Sequence, residues 1–475
     1  MHKKILIPVV LVIIAAAALI GIKIYENKIV DTITAKMADM PRGWQASARD
    51  VSYSFWGGRL TLNDFTLSLT TDDGVYASHT EKMEAEGLSL SAFLSSDIAT
   101  LAKRAIFTNL SGSMPNGSKI SVELEDIKGL SGPFGRIREL SESGAPSREL
   151  LKAIYQIKVD ELKAVNLTMS NMPAFHSPQF PTPNMDGMLI KEMSGSNISA
   201  LKADNIVFID SIMRAGQHDF AVIDLMEARY DLSSLQDVYV MGQERQLLSQ
   251  AFHPDRKLNV YYLIKQMHCN AYQQTPAFDI ESLSFAYVSD DTLKLGLTLD
   301  RLSYDLESVD AMAAKSLKEA LDGKGLTLSG RVESLIREDE FSPTAINVEL
   351  QDLAVLGMTL NLQGKSPQSF RFKDLEGKLT DTGLLEVMLK VRGGNTAEGV
   401  ETARQQMLVQ VAQKLTGVNN PILTALGGAL EQFINNPGTL TFKAAPDQPL
   451  NLQQAAMAFM FNPAVFNVRI EAAAD

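Results

Sequence analysis

A chain of 475 residues with 45% hydrophobic content has ample material for packed cores, which speaks against disorder; its length fits two to four globular domains or one elongated architecture. A formal net charge of −12 leaves no basic surplus to neutralise phosphates and argues against a nucleic-acid partner. The single cysteine, Cys269, rules out an internal disulfide.

At the N-terminus, Met1-His-Lys3-Lys4 precedes an uncharged run from Ile5 to Ile22 that reaches roughly 27 Å at helical rise and matches a bilayer core. Residues 5–24 therefore read as a transmembrane anchor. A cleaved signal peptide is the rival, with Ala15 to Ala18 as small residues, but the apolar run exceeds the roughly 7–15 residues expected of one. Lys3 and Lys4 place residues 1–4 in the cytoplasm and the bulk of the chain across the membrane. Residues 25–40 continue as a stalk helix that Pro41 ends.

From residue 41 the pattern is strands. Val51, Tyr53 and Phe55 alternate, Trp56-Gly-Gly-Arg59 supplies a turn, and the chain returns through Leu60-Thr-Leu62-Asn-Asp-Phe65-Thr-Leu67, a β-hairpin. This return strand also introduces a repeat, with apolar residues at positions one and three, then six and eight, around a polar pair. The spacing recurs at Val122-Glu-Leu124-Glu-Asp-Ile127, Ile157-Lys-Val159-Asp-Glu-Leu162, Leu201-Lys-Ala203-Asp-Asn-Ile206-Val-Phe208 and Phe278-Asp-Ile280-Glu-Ser-Leu283-Ser-Phe285. It recurs again at Leu297-Thr-Leu299-Asp-Arg-Leu302-Ser-Tyr304, Val348-Glu-Leu350-Gln-Asp-Leu353-Ala-Val355 and Phe370-Arg-Phe372-Lys-Asp-Leu375. Strict alternation would throw the two apolar pairs onto opposite faces, so the polar pair must reset the phase. A two-residue hairpin or a β-bulge does so. The polar pairs lack the glycine of tight hairpins, which favours the bulge. Either geometry leaves one face continuously apolar: a greasy trough, or an ordinary half-buried sheet over a closed core.

Between the repeats, the Gly-, Ser- and Pro-rich residues 129–147 read as a loop, and Ser147 to Tyr155 as a short helix. Pro173, Pro178, Pro181 and Pro183 make 171–187 an exposed excursion. Gln243 to Phe252 and Val309 to Leu321 look helical, and strands run on to Leu389. After Gly393-Gly394, Val400, Ala403, Met407, Val411 and Leu415 recur at helical spacing, as do Leu423, Leu426, Leu430 and Phe433, giving a helical pair over 396–436. Residues 437–475 close the chain with a strand at Thr439 to Phe442, a helix at Gln453 to Met460 and a strand at Phe466 to Ile470. The fold expected is mostly β: an elongated, curved antiparallel sheet over 41–395 forming an apolar groove, with too few helices to cover it.

Catalytic patterns are weak. The six histidines are scattered, with no HExxH and no nucleophile elbow. His268 and Cys269 are neighbours, which a strand points to opposite faces. His253-Pro-Asp reads as a turn and Gly323-Lys-Gly325 as a helix stop. Met169, Met172, His176, Met185, Met188 and Met193 gather around the proline-rich excursion and could offer thioethers to Cu(I), although loop methionines more often pack. No enzyme activity, cofactor or metal site is expected.

The anchor, the hairpin from Val51 to Leu67, the apolar-polar-apolar-acid repeat and the closing Phe433-Ile-Asn-Asn-Pro-Gly-Thr-Leu-Thr-Phe442 with Pro446-Asp-Gln-Pro-Leu450 resemble the AsmA-like envelope proteins of Gram-negative bacteria, closest to their YdgA-like branch. That resemblance implies an inner-membrane-anchored periplasmic β-groove that conducts phospholipid, with the inner membrane and an outer-membrane or periplasmic protein as partners. The residues expected to line the lipid path are Leu60, Leu62, Phe65, Leu67, Phe278, Ile280, Leu283, Phe285, Leu297, Leu299, Phe370 and Phe372. The alternatives are a scaffold protein whose β core is closed, or Cu(I) binding by the methionine pairs.

Overall fold

Among the described residues, a computed structural model shows twenty antiparallel strands and eight α-helices. It describes residues 26–474 apart from 41–42, 55–57, 72–73, 90–91, 93–95, 144–146, 172–185, 216–217, 237–255, 272–275, 291, 309–311, 324, 367–368 and 417–420. The expected tail and anchor (1–24), the Gln243–Phe252 helix and most of the proline-rich excursion lie outside the described residues. Among the described residues no helix is long and apolar enough to cross a membrane. The chain divides into two compact units, Met1–Leu247 and Leu248–Asp475, a divide that falls inside the range 41–395.

In the first unit the strands are β1 (Trp44–Ser47), β2 (Asp50–Ser54), β3 (Arg59–Thr71), β4 (Gly74–Glu86), β5 (Ala99–Ser113), β6 (Lys119–Gly132), β7 (Lys158–Ser170), β8 (Gly187–Ser199), β9 (Lys202–Ala215) and β10 (His218–Asp231). From β3 to β10 each pairs with the next. β1 and β2 share the outer edge of β3, facing Thr66–Leu69 and Arg59–Asn63. The expected β2–β3 hairpin forms, with Ser54 opposite Arg59. Helix α1 (Glu26–Ala38) realises most of the stalk, and it inserts Ile33 and Met37 into the core beside Leu60 and Phe65.

Of the residues 129–147 expected as a loop, 129–142 are mostly strand and helix. Strand β6 runs to Gly132, then α2 (Phe134–Glu142) precedes α3 (Ser147–Ile154). Pro133 stands at the helix start, where a missing N–H costs little, and Phe134 and Ile137 are 2% and 3% exposed in the core. Apolar burial outweighs the loop-like composition.

The phase reset has an identifiable cause. In β3, Leu60, Leu62, Phe65 and Leu67 are all 0–2% exposed, so one face is continuous across Asn63-Asp64, and Asp64 sits at φ 48°. Asn109, Asn166, Asn197, Asp210, Gln266 and Arg301 adopt the same left-handed conformation inside strands. L-residues pay about 1–2 kcal/mol there, least for Asn and Asp. Acids on adjoining strands clasp several of these side chains. Asn109 Nδ2 donates to Glu81 at 2.5 Å, Asn197 Nδ2 donates to Asp204 at 2.6 Å, and Asn166 donates to Glu123. Across Asp64 the β3–β4 register is unchanged, Asn63 facing Lys82 and Phe65 facing Thr80.

The second unit holds β11 (Leu258–Cys269), β12 (Ala277–Ser289), β13 (Leu293–Asp305), β14 (Leu326–Ile336), β15 (Ser342–Leu350), β16 (Ala354–Gln363) and β17 (Arg371–Asp381), again paired in sequence. β18 (Gly438–Ala444) and β20 (Arg469–Ala474) continue the sheet, and the short β19 (Leu450–Asn451) extends beside the start of β17. Three copies of the repeat are bulges with an extra residue: the register shifts at Asp204-Asn205 in the first unit, and at Asp300-Arg301 and Lys373 in the second. Another reverses the chain, but through a three-residue turn: Gln351-Asp352-Leu353 join Leu350 to its partner Ala354, with Asp352 at φ 60°, so Leu350 and Leu353 are not the opposed pair of a two-residue hairpin.

Helices α4 (Met312–Leu321), α5 (Leu384–Gly393), α6 (Ala397–Val411), α7 (Pro421–Asn435) and α8 (Leu452–Phe461) complete this unit. The expected pair is present as α6 and α7. The stretch up to Leu389 expected as strand is helix α5, whose Leu385, Val387 and Leu389 are buried between α4, α6 and α7 neighbours. The final strand starts at Arg469, because Pro463–Phe466 form a 3-10 turn.

The left-handed residues give the first prediction. Asn166→Gly keeps the backbone and loses one side-chain hydrogen bond, so stability should change by about 1 kcal/mol. Asn166→Val meets the left-handed penalty as well, and roughly 2–3 kcal/mol should be lost in urea unfolding. Equal losses would show that the conformation is not what the asparagine supplies.

Candidate functional site

Cross-strand rows define what each face presents. In the second unit one row runs Tyr262, Phe285, Leu297, Val332, Ile346, Met358, and the next runs Ile264, Leu283, Leu299, Gly330, Val348, Leu356, from β11 to β16. None of these side chains is buried; Tyr262 is 45% and Leu297 40% exposed. Both rows continue into β17, β18 and β20, where Leu379, Leu440, Ile470 and Ala472 pack against α5, α6 and α7. The sheet thus carries a two-row apolar strip that helices cover at one end and leave accessible over β11–β16 among the described residues.

The twelve residues expected on a lipid path separate into two groups. Leu60, Leu62, Phe65 and Leu67 are sealed in the first unit's core with α1, so they hold that unit together and offer no surface. Leu283, Phe285, Leu297 and Leu299 come together on the accessible strip, and Ile280 joins it beside Leu302. Phe278 lies at the far strand end with its ring 5.9 Å from Tyr304. Phe372 packs at 6.0 Å on Phe466, and Phe370 directly precedes β17. Sequence reasoning missed Tyr262, Val332, Ile346 and Met358, whose strands lack the repeat's spacing at those positions; their cross-strand register alone reveals them.

The opposite faces are polar. A concavity of about 420 Å³ in the first unit is lined by Thr66, Ser111, Ser121, Thr168, His79 and Lys119. One of about 460 Å³ in the second lies among Glu376, Lys443, Arg469 and Glu471, where Lys443 pairs with Glu376. Cation–carboxylate pairs such as Arg104 with Asp126 at 2.7 Å and Lys163 with Glu192 at 3.0 Å cross neighbouring strands on the first unit's polar face. Such exposed pairs fix register more than they add stability.

Cys269 and His268 point apart as expected. His268 is exposed and its Nδ1 lies 2.7 Å from Asp279, a hydrogen bond that raises its pKa. Cys269 is fully buried, and desolvation first, then Asp279, push its thiol up to about 12, so it is an inert core residue. Among the described residues no group of His, Cys, Asp and Glu is placed to hold a metal. Met169 and Met188 face each other, half-buried against the first unit's core, with Met213 next in the row; Met172, His176 and Met185 lie outside the described residues.

In the first unit's core one position breaks the pattern. The row Val51, Leu62, Met83, Phe107, Glu125, Ala164, Met193, Phe208 and Met226 is apolar apart from a carboxyl that is 5% exposed. Desolvation raises Glu125 to about 7. The second repeat copy was expected to put Leu124 inward here; instead Leu124 is 37% exposed and Val122, Glu125 and Ile127 face the core. The phase breaks two residues early, at Glu123, which accepts from the left-handed Asn166.

A family profile described as "Uncharacterized protein" matches residues 289–473, which span most of the second unit. A search of curated proteins finds no match.

Burial of Glu125 makes stability depend on pH. Because its folded pKa lies above the ordinary carboxylate value, the folded state holds the proton longer than the unfolded chain. Stability is full in acid, falls as pH rises from about 4.5 to about 7, and stays lower beyond. The loss should reach on the order of 3 kcal/mol in urea titrations of the first unit, and Glu125→Gln should flatten most of it. An unchanged profile in the variant would place the carboxyl in water.

Proposed function

We propose that this protein is an inner-membrane-anchored periplasmic protein that binds phospholipid acyl chains on the apolar strip of its second unit and passes them along it without an energy source of its own. The observation that carries the reading is the accessibility of that strip: Leu283, Phe285, Leu297 and Leu299 form adjacent rows that no described residue seals. An apolar surface of this extent needs a partner or a ligand. Each methylene buried is worth about 0.8 kcal/mol, and neighbouring positions along the strip are chemically alike, so a chain is held yet slides at little net cost. The charged faces and strand edges keep headgroups in water. The resemblance to AsmA-like proteins and the apolar run from Ile5 to Ile22 support the same membrane setting.

A scaffold role is favoured for the first unit, whose repeat side chains are spent on its own core. The two readings predict different mutational costs. Phe65→Ala, in a core site 1% exposed, should cost roughly 3–5 kcal/mol. Leu297→Ala, at 40% exposure, should cost under about 1.5 kcal/mol.

Native mass spectrometry of the detergent-extracted full chain tests the function. Phospholipid should co-purify, and the double variant Leu283→Asp with Leu299→Asp should lose it while its thermal transition persists. Absence of lipid from the parent chain, or full retention by the double variant, contradicts the proposal.

A further inference from the structure

The sequence pattern of β6 and its folded geometry disagree. In the repeat phase, Val122, Leu124 and Ile127 would face the core, with Glu125 and Asp126 outside, as the acids of the other copies are. In the folded phase, Val122, Glu125 and Ile127 face it, and Leu124 stands 37% exposed between Thr108 and Val165 on the polar side. Val122 and Ile127 point inward in both, Asp126 stays outward with its Arg104 partner in both, and Leu and Glu have similar volumes. The two phases differ only in which of two adjacent residues is inside.

We propose that β6 carries a proton-coupled movable bulge, in which Glu125 and Leu124 exchange faces as the carboxyl ionises. The inference is independent of the lipid-binding reading.

The surroundings of the carboxyl support it. Its ladder neighbours are Phe107 on β5 and Ala164 on β7, and the flanking inward residues are Ala105, Leu162 and Ile127, none of which can pair with a charge. Cations on the strands around it, Arg104, Lys128 and Lys163, are engaged on the polar face by Asp126, Glu161 and Glu192. The helices packed over this core contribute Ile33, Met37, Phe134, Ile137, Ala153 and Ile154; of the charged side chains described on them, Asp31, Arg136, Glu139, Arg148, Glu149 and Lys152 are exposed, and Arg138 adds nothing to the causes acting on Glu125. An ionised Glu125 therefore has no partner inside, whereas outside it would meet water and the cations already there. The same movement would return Leu124, a large apolar side chain now exposed, to the core. Burial thus favours the repeat phase once the proton is lost, and the protonated acid tolerates the folded phase. The αL residues on the neighbouring strands, Asn109 and Asn166, stand opposite Glu123, so the exchange is confined to Leu124 and Glu125 and takes β6 out of step there with Thr108 and Phe107 on one side and Val165 and Ala164 on the other.

The test uses cysteine accessibility in the full-length chain, where the native Cys269 is fully buried and gives little background. Leu124→Cys is compared with Ser121→Cys, an outward position in both phases. The ratio of maleimide rates at the two sites cancels the intrinsic pH dependence of thiols. Between pH 5.5 and 8.5 this ratio should fall at least tenfold, as position 124 turns inward. With Glu125→Gln added it should stay constant. A constant ratio in chains that retain Glu125 overturns the proposal. Hydrogen exchange of residues 120–130 in the unsubstituted chain guards against a folding defect in the cysteine variants. After correction for base catalysis, protection there should change across the same pH range and not in Glu125→Gln; a flat profile also overturns it.

Discussion

The structure depends on a left-handed residue placed inside a β-strand and held there by a neighbouring acid. Alternation alone would give each strand two half-faces and no continuous core. One residue at φ near +50° lets two successive polar side chains face outward, so the apolar side resumes on the same face. Asparagine and aspartate bear this conformation at least cost, and Glu81, Glu123 and Asp204 fix their side chains from the adjoining strand. The acidic surplus of the sequence is partly this: structural carboxylates on the polar faces, such as Glu81, Glu123 and Asp204 answered by asparagine amides and Asp126 and Glu192 answered by cations.

The two units use the same device to different ends. In the first, α1, α2 and α3 bring Ile33, Met37, Phe134 and Ile137 onto the continuous face and convert it into a core. In the second, α5, α6 and α7 cover the two rows only at β17, β18 and β20, and the rows over β11–β16 stay accessible among the described residues. Apolar burial thus supplies stability in one unit and leaves an accessible apolar surface in the other. Reading both as one groove overlooks that a trough needs unsealed side chains, and Leu60 and Phe65 are sealed.

Much of this was legible in the residues. Period-two spacing marks the strands, and an odd step at a glycine-free polar pair correctly demands a bulge at Asp300-Arg301 and Lys373. What escaped has physical reasons. Gln351-Asp352 make a turn although they look like the other pairs, because nothing local distinguishes a kink that continues from one that reverses. Helix α2 hides in a Gly- and Ser-rich stretch since only Phe134, Ile137 and Leu140 signal it. At β6, Leu124 and Glu125 compete for one inward site, and hydrophobicity chooses the residue that the strand does not. The strip's membership beyond the repeat depends on register, which no single strand encodes.

The account's central claim is that acyl chains cover the accessible strip of the second unit. With Trp44 and Trp56 replaced by Phe, a single tryptophan at position 297 can be compared with one at position 65 for quenching by phospholipid brominated along its acyl chains. Strong quenching of Leu297→Trp with little effect on Phe65→Trp is the expected result. Equal and weak quenching at both positions would contradict it.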